Sequence, residues 1–273
     1  MPPWQVALLL LPGLAAPLAA AEQPLWEAGF GTGVLGYADY RGANSTHVFP
    51  VPVPYLIYNG PFLKADHNGV RGALFSNSWL DVNLSVDATL PVSNDRTRSG
   101  MTQLKPTMEI GASLDLHLWR SADGRSHLDF KVPVRSAFTV QMPPQAIGWT
   151  LTPGFSLKTA DAFGCGGLNA GMYTGPLFAN RRYNDYFYSV PAQNATATRP
   201  AYAAAGGYAG YQLVFDLSKR YPKYWVGAFV RYDSLAGAVF EDSPLVRTER
   251  YWSAGLVMAW MIGRSAQMVE VAD

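Results

Sequence analysis

Residues 80–90, LDVNLSVDATL, alternate apolar and polar side chains along their whole length. The same period of two returns in MEIGASLDLHL at 108–118 and in LDFKVPVRSAFTV at 128–140. This period gives a β-strand one apolar face. Strands of soluble sheets are usually about 5 to 6 residues long, whereas a tilted strand that crosses a bilayer needs about 9 to 11. The length of these runs therefore predicts strands of a membrane β-barrel.

The hairpin between the second and third runs predicts which polar residues face each other. Both runs carry their polar residues at odd positions, so facing residues sum to an even number and the loop must have an odd length. Residues 122–124, ADG, supply a three-residue loop with glycine in the left-handed conformation, which is a favoured connection. This register places Asp115 opposite Lys131 and His117 opposite Asp129.

Ionisable side chains on these polar faces line the barrel interior if the apolar faces meet lipid. Opposite charges on neighbouring strands then neutralise one another. Two interpretations stay open: a lumen packed with paired charges, as in small barrels, or a binding or proton-handling site. The lumen candidates are Asp81, Asp87, Glu109, Asp115, His117, Asp129, Lys131 and Arg135.

The N-terminal segment differs from the rest of the chain. Residues 4–21 are apolar apart from one glutamine, and three alanines before Glu22 have the small-residue form of a cleavage site. The segment resembles a secretory signal peptide, although its start lacks Lys and Arg, and an uncleaved anchor is the alternative. We predict a cleaved signal peptide at 1–21 and one outer-membrane β-barrel domain at 22–273.

Composition excludes several other classes of protein. Charged residues make up 15% of the chain, yet nothing after residue 21 approaches the roughly 18 continuous apolar residues of a spanning helix. A net charge of +1 gives no whole-molecule attraction to nucleic acid. Cys165, the one cysteine, cannot form an internal disulfide, and its glycine neighbours predict an inert turn residue rather than a reactive thiol.

The remaining sequence predicts an all-β, up-and-down antiparallel transmembrane barrel. Long connections alternate with short turns, as in bacterial outer-membrane barrels. We predict twelve strands, with ten as the alternative because the short strands beside the turn at 67–69 are the weakest. The predicted strands span 26–37, 48–58, 61–66, 69–76, 79–91, 106–120, 125–140, 148–159, 166–176, 205–218, 224–235 and 250–262.

Prolines mark the second of these strands. Pro50, Pro52 and Pro54 alternate with apolar residues, and proline cannot donate a hydrogen bond to a neighbouring strand. The segment is therefore bonded on one edge only near its extracellular end, or it lies as an extended plug against the wall.

The longest connection, residues 177–204, is rich in aromatic residues. Loops of this length are usually functional or disordered, and its aromatic density argues against disorder. Either its aromatic side chains extend the outer aromatic girdle while its arginines bind lipid phosphates, or the loop folds inward and its arginines meet acidic wall residues such as Asp87 or Glu109. The candidate residues of this extracellular loop are Arg181, Arg182, Tyr183, Tyr186, Phe187 and Tyr188.

The sequence lacks the common motifs for catalysis and metal binding. The sequence has no Gly-x-Ser-x-Gly, no His-Glu-x-x-His, no P-loop and no Cys-x-x-Cys. The four histidines are scattered over predicted loops and strands, which is poor geometry for a metal site. We therefore predict no enzyme activity, no cofactor and no bound metal.

Several segments, in order along nearly the whole mature chain, resemble the MipA/OmpV family of outer-membrane proteins. They are WEAGFGTGVLGYADYRGA at 26–43, FPVPVPYLIYNGPFLKAD at 49–66, GVRGALF at 69–75, LDVNLSVDATLPVSNDRTRSGM at 80–101, LDLHLWRSADGRSHLDFKVPVRSAF at 114–138, YNDYFYSVP at 183–191 and RPAYAAAGGYAGY at 199–211. One departure is the C-terminus, because many outer-membrane proteins end on an aromatic residue of the last strand. Here residues 263–273 follow that strand, so an internal assembly signal must serve or the tail is displaced.

The resemblance implies a barrel in the outer membrane of a Gram-negative cell. For MipA-like members it implies a scaffold that joins a lytic transglycosylase to a bifunctional penicillin-binding protein in peptidoglycan synthesis. Other members are linked to osmotic adaptation, adhesion or antibiotic response. We therefore predict a non-catalytic scaffold surrounded by outer-membrane lipid, with a small-solute or ligand-binding porin-like barrel as the alternative.

Overall fold

The computed structural model describes residues 22–59, 63–66, 69–72, 75–89 and 96–270. The predicted signal peptide at 1–21 lies outside these ranges and stays a prediction. The helix of eight residues is α1 (Arg181–Tyr188). The strands are β1 (Glu22–Pro24), β2 (Trp26–Ala38), β3 (Thr46–Asn59), β4 (Leu63–Asp66), β5 (Gly69–Gly72), β6 (Phe75–Ser76), β7 (Leu80–Thr89), β8 (Thr107–Arg120), β9 (Ser126–Thr139), β10 (Ala146–Leu151), β11 (Gly154–Thr159), β12 (Leu168–Ala179), β13 (Gly207–Arg220), β14 (Tyr224–Ser234), β15 (Arg250–Arg264) and β16 (Met268–Glu270).

All but β1 and β16 belong to one antiparallel sheet. Its order is β5-β4-β3-β2-β15-β14-β13-β12-β10-β9-β8-β7-β6, and β11 pairs with β12 and β9 as β10 does. Cα atoms of β5 lie within 8 Å of β7, so the two ends of the sheet meet. Strands β10 and β11 lie end to end in one position of the wall, and β5 and β6 share another. The fourteen described strands of the sheet therefore occupy twelve positions. The prediction of an antiparallel barrel of about twelve strands is confirmed.

Strand boundaries differ from the prediction mainly at one proline. The predicted strand 148–159 is two strands, β10 and β11, because Pro153 between them has no N–H to donate. Thr152 still donates its N–H to Pro133 O at 3.2 Å, so the wall continues across the break. Strands β12 and β13 begin and end two or three residues later than predicted.

The apolar faces of the strands lie on the outside of the barrel. Leu114 and Val134 are 45% and 49% exposed, whereas Ser113 and Arg135, which point inward beside them, are 7% exposed. Exposed tryptophans lie near the strand ends, as in the aromatic girdles of membrane barrels. They are Trp26, Trp79, Trp119 and Trp260 at the short-turn end, and Trp149 and Trp252 at the long-loop end.

The proline-rich strand β3 is bonded mainly on one edge. It pairs with β2 over nearly its whole length, from Thr46 to Tyr58. With β4 it pairs only at Tyr58 and Asn59 among the described residues. The segment is therefore bonded on one edge, the first of the two alternatives. Its prolines, which have no N–H to donate, lie where the other edge has little strand pairing.

Residues 268–270 leave the barrel and pair with residues 22–24. Gln23 faces Val269 in the two-stranded sheet of β1 and β16. Among the described residues, no helix has the length and apolar character needed to cross a membrane.

We expect Leu114→Arg to impair barrel assembly. An arginine on the lipid face near the midplane costs about 2 to 4 kcal/mol. His117→Arg introduces the same side chain three residues further along β8, but inside the lumen between two aspartates, and should assemble normally. Heat-modifiability on a gel, which separates folded from unfolded barrel, measures both variants, and equal folding of the two would contradict the assignment of the faces.

Candidate functional site

The lumen wall formed by β7, β8 and β9 holds the predicted charge pairs. Asp115 faces Lys131, and Lys131 Nζ donates to Asp115 Oδ2 at 2.7 Å. His117 faces Asp129, with Nδ1 and Oδ1 2.9 Å apart. Asn83 and Ser113 also donate to Asp115, so this buried carboxylate has three side-chain donors.

The register is right although the predicted loop is wrong. Ser121 N–H donates to Ser126 O at 2.8 Å, so four residues, 122–125, lie between them instead of three. The pairing shifts by one residue between His117 and Trp119, and this β-bulge restores the alignment of the charge pairs. Gly124 has φ 70°, the predicted left-handed conformation.

Both ring nitrogens of His117 are close to carboxylates. Nε2 lies 3.3 Å from Asp81 Oδ2, and Nδ1 contacts Asp129 as described. His127 lies further away, with Nε2 3.8 Å from Asp129 Oδ2. Within the part of the chain that the structure describes, no group of three or more His, Cys, Asp or Glu side chains is arranged to hold a metal ion.

Nearer the long loops, the wall is organised around Glu109. Its carboxylate is fully buried and accepts hydrogen bonds from Arg135 Nε at 3.1 Å and Thr150 Oγ1 at 2.7 Å. A third donor is Tyr183 Oη of α1, 2.8 Å from Oε1. Arg135 Nη2 lies 3.4 Å from Asp87 Oδ2, so one guanidinium contacts two wall carboxylates. All eight predicted lumen residues are therefore brought together along one side of the barrel interior.

Tyr183 reaches Glu109 because the loop of residues 180–206 folds inward. Asn180 caps α1 by accepting the N–H of Tyr183 at 3.1 Å, and it accepts the N–H of Trp149 in the wall at the same distance. Gly148 allows this close approach, since a Cβ there would collide with the Asn180 side chain and the Tyr183 backbone. Burial and then Glu109 raise the pKa of Tyr183 well above its ordinary value, so its phenol stays a donor.

A hydrophobic core, here called the loop core, fills the long-loop end of the barrel. Its buried residues come from strand ends and from four long connections, at 39–45, 96–106, 180–206 and 235–249. Phe187 lies near its centre, and the rings of Tyr188 and Phe240 stack at 3.6 Å between centroids. The members of the loop core are Tyr40, Ala43, Leu104, Ala137, Ile147, Leu177, Ala179, Tyr183, Phe187, Tyr188, Val190, Ala204, Ala209, Leu235, Ala238, Phe240 and Leu245.

This placement overturns the girdle interpretation of the loop aromatics. Phe187 and Tyr188 are buried inside, and Tyr186 packs against them. The inward-folding alternative is right about the direction of the loop and about Glu109, but wrong about the arginines. Arg181 is 71% exposed and pairs with Asp185 on its own helix, and Arg182 is exposed as well. A tyrosine, rather than an arginine, meets the wall.

Sequence reasoning missed a second buried ionic cluster beside the loop core. Asp233 accepts a hydrogen bond from Arg231 Nε at 2.6 Å, and its Oδ1 lies 3.2 Å from Arg41 Nη2. Arg41 Nε also donates to Tyr251 Oη at 3.0 Å. Burial tends to lower the pKa of Arg41, but interactions with Tyr251 and Asp233 raise it above its ordinary value. The one available signal was the inward position of Asp233 on a predicted strand, because Arg41 lies in a connection.

The short-turn end has its own ion pair and exposes the cysteine. Arg220 Nη2 lies 2.5 Å from Glu27 Oε1, and Arg220 Nη1 donates to Tyr55 Oη at 3.0 Å. Cys165 is exposed in the turn between β11 and β12. This agrees with the prediction of a turn at that residue.

The fold defines a membrane-spanning β-barrel with a charged interior, and sequence comparison gives its family. The family model of MltA-interacting protein MipA matches residues 30–262. The chain therefore belongs to the MipA family, and the predicted resemblance is confirmed.

Named relatives place the protein in the outer membrane. Outer membrane protein Omp26La of Vibrio anguillarum is 25% identical over 211 residues, which cover 74% of this chain and 75% of the relative. Outer membrane protein OmpV of Vibrio cholerae is 26% identical with the same coverage. A solid-state NMR structure of outer membrane protein AlkL aligns with 96% of this chain and 98% of its own at 14% identity, with a TM-score of 0.22 that is too low to support a statement about the fold. The long loops of this outer-membrane barrel are thus extracellular and its short turns periplasmic.

We expect charge reversal to show that Asp115 and Lys131 act as a pair. Asp115→Lys or Lys131→Asp alone leaves like charges side by side, whereas the double variant restores opposite charges across the strands. Contacting residues typically show coupling of about 0.5 to 3 kcal/mol. Urea unfolding in lipid vesicles gives the free energies of unfolding of the native barrel, the two single variants and the double variant. If the free energy of unfolding of the double variant is no higher than the sum of the two single changes predicts, Asp115 and Lys131 do not act as a pair.

Proposed function

We propose that this barrel is a non-catalytic scaffold that brings a murein hydrolase and a murein synthase together at the outer membrane during peptidoglycan synthesis. The hydrolase is a lytic transglycosylase of the MltA type, in line with the name of the matching family, and the synthase is a bifunctional penicillin-binding protein. The observation that carries this proposal is the loop core, which occupies the extracellular end of the lumen.

A packed extracellular end favours a scaffold over a diffusion pore. Barrels with 16 to 18 strands leave an aqueous channel, whereas those with about eight are filled by their own side chains. At twelve strands the outcome depends on what the loops contribute, and here they contribute a hydrophobic core. Below that core, Arg135 on β9 pairs with Asp87 on β7 and Glu109 on β8 along the inner face of the wall. The interior therefore serves stability, and partners are met on the surface.

The described polar groups also favour a non-catalytic role. His117 is the histidine best placed for general base catalysis, but aspartates hold both of its nitrogens, so neither is free to activate a serine. The carboxylates of Asp115 and Glu109 each accept three side-chain hydrogen bonds, all from the wall for Asp115, and from the wall and Tyr183 of α1 for Glu109. Such groups neutralise a buried surface rather than attack a substrate.

One observation favours the ligand-binding alternative. In the periplasmic half of the lumen, Asn169 Nδ2 and Asp216 Oδ2 are buried without a hydrogen-bond partner among the described residues. A small solute entering from the periplasm could satisfy both groups. The packing of the extracellular end makes such a solute a bound ligand of the barrel rather than a substance that passes through it.

We expect the purified barrel in phospholipid nanodiscs to bind the hydrolase and the synthase at the same time. Immobilised barrel should capture the soluble domain of the lytic transglycosylase and then the penicillin-binding protein, with the mass on the sensor rising in two steps. An unrelated outer-membrane barrel in identical nanodiscs is the control. Binding of neither enzyme, or competition between them for one place, would contradict the scaffold.

A further inference from the structure

The periplasmic turn between β11 and β12, residues 160–167, exposes a phenylalanine in a strained conformation. Phe163 is 87% exposed. Its backbone lies in the left-handed region, at φ 60° and ψ 13°. A bulky residue there is a genuine outlier, and such strain is concentrated at sites where it serves a function.

The turn itself does not require a strained residue at position 163. Gly164, Gly166 and Gly167 also have positive φ, and glycine adopts such angles freely. A glycine at position 163 would therefore form the same turn at a lower conformational cost. The aromatic ring is present although the turn does not need it.

The ring contributes nothing to the packing of the barrel. A Cβ added at Gly164 or Gly167 would meet nothing within 4 Å, and one at Gly166 would meet only Lys219 Nζ, at 4.0 Å. The turn therefore projects into open space beyond the strands. A large apolar side chain in such a place is available to a partner.

The base of the turn is held firmly despite its exposed tip. Asp161 Oδ1 accepts the N–H of Gly167 at 2.8 Å, and Asp161 Oδ2 lies 3.5 Å from Arg125 NH1 in the neighbouring turn. Lys219 Nζ donates to Cys165 O at 2.8 Å. The ring is thus presented on a preorganised support, which lowers the entropy lost on binding.

The periplasmic rim around this turn is basic. Its three turns, at 120–125, 160–167 and 219–223, carry more basic than acidic side chains, and Asp161 is already paired with Arg125. A partner that covers the ring also meets these positive groups. The charged residues of the three turns are Arg120, Arg125, Lys219, Arg220 and Lys223 against Asp123 and Asp161, and Arg220 is already paired with Glu27.

We propose that Phe163 is the docking anchor for the periplasmic murein hydrolase, inserting its ring into an apolar pocket of that enzyme edged by carboxylates. This inference rests on the scaffold function proposed above and names its contact residue. Rigid aromatic side chains dominate the binding energy of many protein interfaces, and surrounding charges speed association. A lipid anchor would not require the strained backbone, since the girdle tryptophans Trp119 and Trp260 face outward from strands β8 and β15.

Binding of the soluble lytic transglycosylase to the full-length barrel in nanodiscs tests this anchor. We expect Phe163→Gly to weaken binding about 10-fold or more, as for the loss of an interface hot spot. Because the substitution also relieves the left-handed strain, heat-modifiability should be unchanged or improved. Phe163→Tyr keeps the ring and should bind within about 3-fold of the native barrel. Phe155→Ala, which removes a lipid-facing ring from β11, is the matched control and should bind as the native protein does.

Three results would overturn the anchor. If the native barrel and Phe163→Gly bind the enzyme equally, the anchor is wrong while the scaffold stands. If Phe163→Gly binds equally but inserts less efficiently into vesicles of phosphatidylethanolamine and phosphatidylglycerol, the ring is a membrane anchor instead. If the native barrel does not bind the enzyme, the scaffold and the anchor fail together.

Discussion

The buried carboxylate of Glu109 is the constraint on which the closed form of this barrel depends. A charge removed from water is costly unless it is paired and hydrogen-bonded. Three donors meet this requirement, Arg135 on β9, Thr150 on β10 and Tyr183 on α1. Two of them belong to the wall, but the third belongs to an extracellular loop. Satisfying Glu109 fully therefore requires the loop to enter the lumen.

The loop core and the charged lumen support each other across this contact. Tyr183 contributes its ring to the loop core and its hydroxyl to Glu109, so hydrophobic packing and hydrogen bonding fix α1 in one position. Below this level, Lys131 and Asp115 neutralise each other, and His117 lies between two carboxylates. An interior organised in this way fits the proposed scaffold, whose partners we expect at the surface and above all at the periplasmic rim.

The sequence predicted the barrel and one side of its interior because both follow from local periodicity. Period-two alternation predicts strands, and strand length together with odd and even positions predicted the pair of Asp115 and Lys131. The wrong loop length did not change the predicted pairs, because the β-bulge beside His117 compensates for the extra loop residue. Register depends on which face is buried, and burial of one face tolerates small changes in the turn.

Contacts between distant segments could not be predicted in the same way. Tyr183 and Glu109 are 74 residues apart, and Arg41 and Asp233 are 192 apart (233 − 41). No periodic pattern connects a loop residue to a wall residue across such separations. The sequence gives the inward fold of the loop as one alternative, from the arginines of the loop and the acidic residues of the wall. The residue that makes the contact was not predicted, because charge alone favoured the arginines.

Planar-bilayer conductance tests the central claim, that the loop core closes the lumen, most directly. The native protein should show no large steady conductance, and deletion of residues 181–190 should produce one by removing α1 and its contact with Glu109. Tyr183→Ala combined with Phe187→Ala, which keeps the chain length, should increase conductance in the same direction. A large steady conductance in the native protein, or a deletion variant that folds and conducts no better than the native protein, would contradict the account.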